Sequence, residues 1–518
     1  MAILGTLLKK GIMLRESLEQ LYSSPIDLQK QELRNLLIQT ELTKFGQAYN
    51  FTSVLESFRR SDNDKFYEEF KRNVPVFDYD KIYSEWWSQV KEGKEDICWP
   101  GKIKYFALSS GTSGSPSKYI PITSEMVKSI RKTSMRQILT MSKYDLPAAH
   151  FSRGILMLGG STDLKRNGHY FEGDLSGITA SQIPFWFQHF YKPGRKIAKN
   201  QNWHEKLDEI VMNACEWDIG IIAGVPAWIQ ILMEKIIDHY QVKTIHYIWP
   251  NLRIFVHGGV SFEPYRKGFE KLLSKPLIYM ETYLASEGFI AFQAFPDRKS
   301  MRLVLNNGIF YEFIPFNKRN FDEEGVVREN PETLKIDQVE EGKDYALLIS
   351  TNAGSWRYLI GDVIRFESIL ESEITIVGRT KHFLSLCGEH LSSDNMNKAI
   401  ELAERDLNID IREFTLLGEP KDSLFAHHWY IGTDDLVDEE QLCHLIDEQI
   451  MKLNDDYKVE RGAALKEVKL KVLPTSAFYA WMELQGKIGS QNKFPRVLKK
   501  EKAQDWKKFL SEQNMVIS

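Results

Sequence analysis

Four apolar runs in the middle of this 518-residue chain each stop at, or just before, a glycine-bearing turn. Ile155–Leu158 runs into Gly159-Gly160 and Ile219–Ala223 into Gly224. Leu252–Val256 leads to Gly258-Gly259, and Ile278–Tyr283 leads to Ser286-Glu287-Gly288. The second and third runs are followed by helix-forming segments that open near Pro226 and Pro264, and proline fits the first turn of a helix. Apolar strands that end at glycine and feed helices predict α/β architecture. They also predict that ligands bind past the carboxyl ends of those strands.

The flanking sequence differs in texture. The first hundred residues read mainly as helix, with Leu33, Leu36 and Leu37 at helical spacing and Asp62–Arg72 as a charged helical surface. From Ser300 to Phe366 the pattern turns β-rich, with strands expected at Leu303–Leu305, Phe310–Ile314 and Tyr345–Ser350 and a turn at Asn306-Asn307-Gly308. Composition shifts again near Arg379. Beyond it, strands at Phe414–Gly418, His428–Gly432 and Leu465–Val472 and a helix at Glu439–Asn454 predict a small α+β unit. The expected division is a large α/β domain with a β-rich subdomain over residues 1–380 and a C-terminal α+β domain over 381–518.

Composition narrows the class. Hydrophobic residues make up 43% and aromatics 12%, as in a globular chain. A net charge of -4 argues against a nucleic-acid binder. The four cysteines form no C-x-x-C pair, which speaks against a disulfide framework or a structural zinc site. No apolar run reaches membrane-spanning length, and Lys9 and Lys10 interrupt the mildly apolar N-terminus. The expectation is a cytoplasmic protein with neither membrane nor nucleic-acid partner.

Five constellations carry chemistry. Leu108–Lys118 packs two glycines, six hydroxyl side chains and one lysine into eleven residues between an apolar run and a helical segment. Glycines let backbone N–H groups turn toward one point, and Ser109, Ser110, Thr112, Ser113 and Lys118 supply further donors, so the loop suits a polyphosphate; the alternative is a flexible linker. Tyr283–Glu287 places a carboxylate beside a hydroxyl, suited to Mg²⁺ on phosphates, or else Ser286 caps a helix. Trp356–Arg365 contains Gly361-Asp362, where an aspartate could hold ribose hydroxyls or simply sit in a strand–turn–strand. Gly378–His382 is a basic, glycine-bounded crossing, either a domain hinge or a surface turn. Gly486–Arg496 carries Lys487, Lys493 and Arg496 on a polar loop where a lysine can meet charge developing at a phosphate; the bland reading is a solvated surface loop.

The order of these motifs resembles that of the adenylate-forming superfamily of luciferases, acyl-CoA synthetases and peptide-synthetase adenylation domains, over nearly the whole chain. Within it, the sequence is most similar to the plant auxin-responsive acyl acid amido synthetases and their bacterial relatives. Ser109–Pro121 fits that family's S-S-G-T-S-G-x-x-x-K-x-x-P. Tyr283-Leu284-Ala285-Ser286-Glu287 stands for its Y-A-S-S-E, Arg357–Asp362 for R-Y-R-x-G-D, and Gln491–Arg496 for Q-Y-K-x-P-R. The resemblance implies ATP-dependent adenylation of a carboxylic acid, followed by transfer of the acyl group to an amine, with an amino acid as the expected acceptor and release of AMP. It implies ATP and Mg²⁺ as cofactors. Ser109, Ser110, Gly111, Thr112, Ser113, Gly114 and Lys118 would hold phosphates, and Glu287 would hold Mg²⁺. Gly258, Gly259, Tyr283, Ser286, Asp362 and Arg379 would hold adenine and ribose. Lys381 would be the hinge of a mobile C-terminal domain, and Lys493 the catalytic lysine, with Lys487 as the alternative.

The resemblance is broken at two points. Leu284 replaces a small residue, and Leu384-Ser385 stands where the superfamily's hinge often reads Ile-Lys, which disfavours the thioester-forming alternative, an acyl-CoA ligase. A non-catalytic nucleotide-binding protein is the remaining alternative, and it has no need of Lys493. Ser115–Lys118 and Ser393-Asp394-Asn395 match the S-x-x-K and S-D-N of penicillin-binding acyltransferases, but no K-T-G accompanies them.

Overall fold

A computed structural model describes residues 24–518 apart from 59–64, 110–117, 145, 260–261, 297, 323–324, 381–390, 422–423, 455–456, 459–460, 462–464, 488–492, 499, 514 and 516–518. β1 (Tyr105–Ser109) and β2 (Lys118–Ile122) pair antiparallel, with Ser109 opposite Lys118. β3 (Gly154–Met157) starts the central sheet, while β4 (Lys165–Asn167) and β5 (Tyr170–Gly173) complete the β2-β1-β5-β4 sheet. The central strands are then β6 (Tyr191–Lys192), β7 (Ile219–Gly224), β8 (Ile254–Gly258), β9 (Ile278–Ala285), β10 (Gly288–Phe292), β11 (Met301–Leu303), β12 (Ile309–Pro315), β13 (Asp344–Thr351), β14 (Tyr358–Ser368) and β15 (Glu373–Arg379). They form one 11-stranded sheet in the order β12-β13-β14-β15-β11-β10-β9-β8-β7-β3-β6. Its β9-β8-β7-β3-β6 part is parallel, as the strand–glycine–helix pattern requires, and the rest is antiparallel.

The two faces of the parallel part are covered differently. The Pro226–His239 and Glu263–Lys271 helices connect β7 to β8 and β8 to β9. They bury Leu232, Met233, Ile236 and Phe269 against Phe255. Residues alternate between faces along a strand. Tyr279 of β9 packs against Phe262 on that side, ring centroids 4.5 Å apart, while Thr282 accepts a hydrogen bond from Gln137 of the Ser124–Thr140 helix on the other.

The N-terminal helices close the β-rich end. The Pro25–Thr40 helix, capped by Ser24, buries Leu33, Leu36 and Leu37. Its buried Gln29 donates to the carbonyls of Leu305 and Ile309 and accepts from Tyr311 N–H at 2.7 Å, which pins the helix to β12. Arg357, a member of the R-Y-x-x-G-D motif, serves this junction and not the cleft. Its guanidinium meets Glu312 at 2.8 Å with both side chains buried, and it also donates to the Val74 carbonyl at 2.7 Å.

β16 (Glu413–Lys421), β17 (Leu424–Gly432), β18 (Leu465–Leu473) and β19 (Val497–Leu498) form a separate sheet in the order β18-β17-β16-β19. Leu416, Trp429 and Ile431 pack beneath the Ser393–Leu407 and Glu439–Leu453 helices. Their neighbours Leu417 and Tyr430 turn the other way, toward Phe478, Trp481, Phe494 and Trp506. His427 and His428 lie on β17, and no metal-holding cluster of three or more His, Cys, Asp or Glu occurs among the described residues. Ser393-Asp394-Asn395 opens a helix through a capping box between Ser392 and Asn395, which accounts for the S-D-N match. No helix among the described residues is long and apolar enough to cross a membrane.

Two local expectations give way to the tertiary structure. Ser286 does not cap a helix. Ser286 and Glu287 form the tight connection between antiparallel β9 and β10, with Ala285 paired to Gly288. Gly361-Asp362 is not a turn either. Both residues lie inside β14, where Asp362 pairs with Arg379 of β15. Gly361 takes a φ of +91°, a conformation that suits glycine.

Candidate active site

The carboxyl ends of β7, β8 and β9 open into a cavity of about 1280 Å³, whose walls include Ser109, Lys118, Gly258, Gly259, Tyr283, Ser286, Glu287, Asp362, Arg379, Lys487 and Lys493. Residues more than three hundred positions apart thus face one space. Of the expected site residues, Ser110, Gly111, Thr112, Ser113, Gly114 and the hinge residue Lys381 lie outside the described residues.

Asp362 is the pivot of the polar wall. Arg379 Nε stands 2.8 Å from Asp362 Oδ1, and the buried Tyr283 hydroxyl donates to Asp362 Oδ2. Arg379 also donates to the Ile360 carbonyl at 3.1 Å. The pairing of β14 with β15 sets Arg379 against Asp362, and the Tyr283 hydroxyl reaches the same carboxylate from β9, so the carboxylate is held in one orientation. Asp362 holds the Arg379 charge in place and raises its pKa, and burial raises that of Tyr283 far above the usual phenol range.

Glu287 is buried at the β9–β10 connection. Burial pushes its carboxyl up to about 7, against the opposing pull of Lys118, and Asp362 adds to the rise. A buried carboxylate with a raised pKa gains from a cation brought to it. Mg²⁺ is commonly held by one or two carboxylates together with substrate phosphates, and a single carboxylate on the same cavity as Ser109 and Lys118 fits that donor set.

Lys493 reaches the opposite side. Its ammonium donates to the Gly259 carbonyl, and it is open to the cavity while ringed by protein. Burial pulls it down to about 8; Arg379 and Arg496 act in the same direction and Asp362 opposes them. The next residue, Phe494, is anchored between Phe478, Trp481 and Trp506, with ring centroids 4.7, 5.2 and 5.1 Å away. The glycines of β8 have distinct reasons. A Cβ at Gly258 would stand 2.2 Å from the Thr282 carbonyl oxygen, so β9 demands glycine there. Gly259 has a φ of +87°, and a Cβ on it would crowd Lys493 at 3.3 Å. Lys487 lines the rim and lies against Lys502, whose pKa falls to about 8, chiefly by burial and then by that neighbour.

Sequence motifs gave no hint of the cavity's apolar wall. Ile138 and Met141 from the Ser124–Thr140 helix and its continuation face Ile155, Ile221 and Val256 from three parallel strands. Each looks like ordinary core at its own position, and only their convergence makes a pocket.

A partly parallel sheet whose strand ends meet Asp362, Arg379, Glu287 and Lys493 on one cavity has the form of an adenylate-forming ligase. The chain belongs to the GH3 family: the GH3 family N-terminal domain matches residues 14–207, the central domain 302–379 and the C-terminal domain 394–502. Indole-3-acetic acid-amido synthetase GH3.4 of Arabidopsis thaliana is 26% identical over 566 residues, spanning 92% of this chain and 90% of that protein. Among solved structures, the GH3.15 acyl acid amido synthetase matches with a TM-score of 0.77 at 18% identity, over 98% of this chain and 97% of that one. A 2-hydroxyisobutyryl-CoA ligase in the postadenylation state shares the fold with a TM-score of 0.58 at 11% identity, over 93% of this chain and 90% of that one.

Proposed function

We propose that this protein is an ATP-dependent acyl acid amido synthetase that adenylates a carboxylic acid and passes the acyl group to an amino acid. The observation that carries the reading is the meeting of Lys493, Asp362, Arg379 and Glu287 on one cavity with an apolar wall. Asp362, steadied by Tyr283 and Arg379, accepts the ribose hydroxyls. Lys118 and Ser109 line the cavity where they can meet the phosphates. Glu287 would hold Mg²⁺, which would offset negative charge on the phosphates. The apolar wall takes the body of the acid and leaves its carboxylate facing the α-phosphate. Lys493 stands where negative charge concentrates as the two anions are brought together, and its protonated form offsets that charge.

The first step joins a carboxylate oxygen to the α-phosphorus and expels pyrophosphate. In the second, an amine attacks the acyl carbon and AMP leaves. The unit that begins at Lys381 would move between the two steps and withdraw Lys493 once the adenylate has formed. An amine acceptor needs only a site beside the activated acyl group. Coenzyme A needs in addition a channel for pantetheine and a basic surface for its phosphates, and the hinge lacks the superfamily's Ile-Lys element.

The test supplies ATP, Mg²⁺ and a panel of apolar acids with either mixed amino acids or coenzyme A, with products read by mass spectrometry. Amide together with AMP is expected. Thioester without amide would reassign the protein to the acyl-CoA ligases, and no adenylate with any acid would overturn the reading.

A further inference from the structure

Lys493 reaches into the cavity from a loop of the C-terminal sheet, so something must hold that loop against the large α/β unit. Three residues further on, Arg496 also lines the cavity, and its guanidinium is tied to β16. Its Nη1 meets Glu413 Oε2 at 2.7 Å and the Phe414 carbonyl at 3.2 Å, and its guanidinium lies 4.1 Å from the Phe414 ring centroid. The Arg496 carbonyl accepts Leu416 N–H at 3.0 Å, which continues into the β16–β19 pairing. These contacts tie the chain just after Lys493 to β16.

The other oxygen of the same carboxylate faces across the boundary. Glu413 Oε1 accepts a hydrogen bond from the Tyr265 hydroxyl at 2.9 Å, and Tyr265 belongs to the Glu263–Lys271 helix that leads from β8, and so from Gly259, into β9. Both residues are only 2% exposed. Lys267 of the same helix donates to the Glu404 and Ile409 carbonyls at 3.1 Å each, and the charge pairs across the boundary are more open to solvent. Lys271 stands 3.6 Å from Asp410 with its own side chain 62% exposed, and Arg412 meets Glu234 at 3.1 Å with both partly exposed. Exposed pairs contribute little, whereas a buried charge that loses a donor is strongly disfavoured.

We infer that Tyr265 and Glu413 are positioning residues for adenylation: one buried carboxylate, bonded to Arg496 and Tyr479 within its own unit and to the Tyr265 hydroxyl across the boundary, latches the lysine loop in the arrangement that brings Lys493 to Gly259. The inference rests on the proposed role of Lys493. Removing the Tyr265 hydroxyl penalises only the docked arrangement, because undocking gives Glu413 water in its place. The loss of one hydrogen bond to a charged group should shift docking on the order of tenfold or more.

The experiment measures native-state tryptic cleavage after Lys493 in the full chain, peptide by peptide, because trypsin takes the charged side chain and so reads release of the loop and not the protonation of the amine. Tyr265→Phe should be cut after Lys493 on the order of tenfold faster than wild type, with other lysines of the large unit unchanged. Glu413→Gln, which releases Arg496, should do the same. Lys271→Ala, which breaks an exposed boundary pair, should stay within about twofold of wild type. Wild-type Lys493 rates in both Tyr265→Phe and Glu413→Gln would overturn the latch, as would a uniform rise across all lysines. This measurement needs no substrate, so it is decided separately from the acid and amine screen. In a chain that does adenylate, Tyr265→Phe should slow ATP–pyrophosphate exchange and leave attack of the amine on preformed adenylate unchanged; equal slowing of both steps would also refute the latch.

Discussion

Replacing Lys493 by alanine tests the centre of the mechanism. The ammonium sits at the Gly259 carbonyl on the cavity wall, with Asp362 as the opposing charge and Arg379 and Arg496 as like charges nearby. Removing one preorganised donor from a site of developing negative charge typically costs a factor of about 10² to 10³ in rate. ATP–pyrophosphate exchange in Lys493→Ala should fall by about that factor, while amide formation from preformed adenylate continues. The pH dependence gives a second reading. With the lysine held near 8, about nine in ten molecules carry the charge at pH 7 and about one in ten at pH 9. Because the protonated form is the active one, kcat/KM for adenylation should decline as pH rises through 8, roughly tenfold per unit above it, and Lys493→Ala should lose that limb. A bound anion favours the charged lysine, so the same limb in kcat should lie at higher pH. Unchanged exchange in Lys493→Ala, or a flat profile between pH 7 and 9 in wild type, would refute the assignment and move the role to Lys487.

Asp362→Ala should weaken ATP binding on the order of tenfold to a hundredfold, since charge-assisted hydrogen bonds to the ribose are lost, and calorimetry with Mg-ATP would show it. Glu287→Gln should raise the magnesium concentration needed for half-maximal pyrophosphate exchange, a shift read directly from a magnesium titration. Arg357→Ala leaves Glu312 buried without its cation and should cost about 3–5 kcal/mol in urea unfolding, with nucleotide affinity retained wherever the protein remains folded.

The sequence by itself determined the architecture and the chemistry of individual loops. Apolar runs ending at Gly224 and Gly258 specify parallel strands with ligand-facing ends, because strand period, glycine and helix start are all encoded within a few residues of each other. The order of the Ser109–Lys118, Tyr283–Glu287, Asp362 and Lys493 motifs carried the family for the same reason: each motif is contiguous. What a contiguous motif does not contain is its partner. Ser286 has the local chemistry of a helix cap, and Gly361-Asp362 that of a turn, until the pairing of β9 with β10 and of β14 with β15 overrides both. Arg357 stands in the middle of a motif and nevertheless belongs to the core, because Glu312 lies two strands away in the sheet. Only the tertiary structure made the apolar wall from Ile138, Ile155 and Ile221, and only it joined Tyr265 to Glu413 and Arg496. Those pairings span well over a hundred residues in one case and about eighty in the other, and no period or spacing in a single chain records a contact made across folded units.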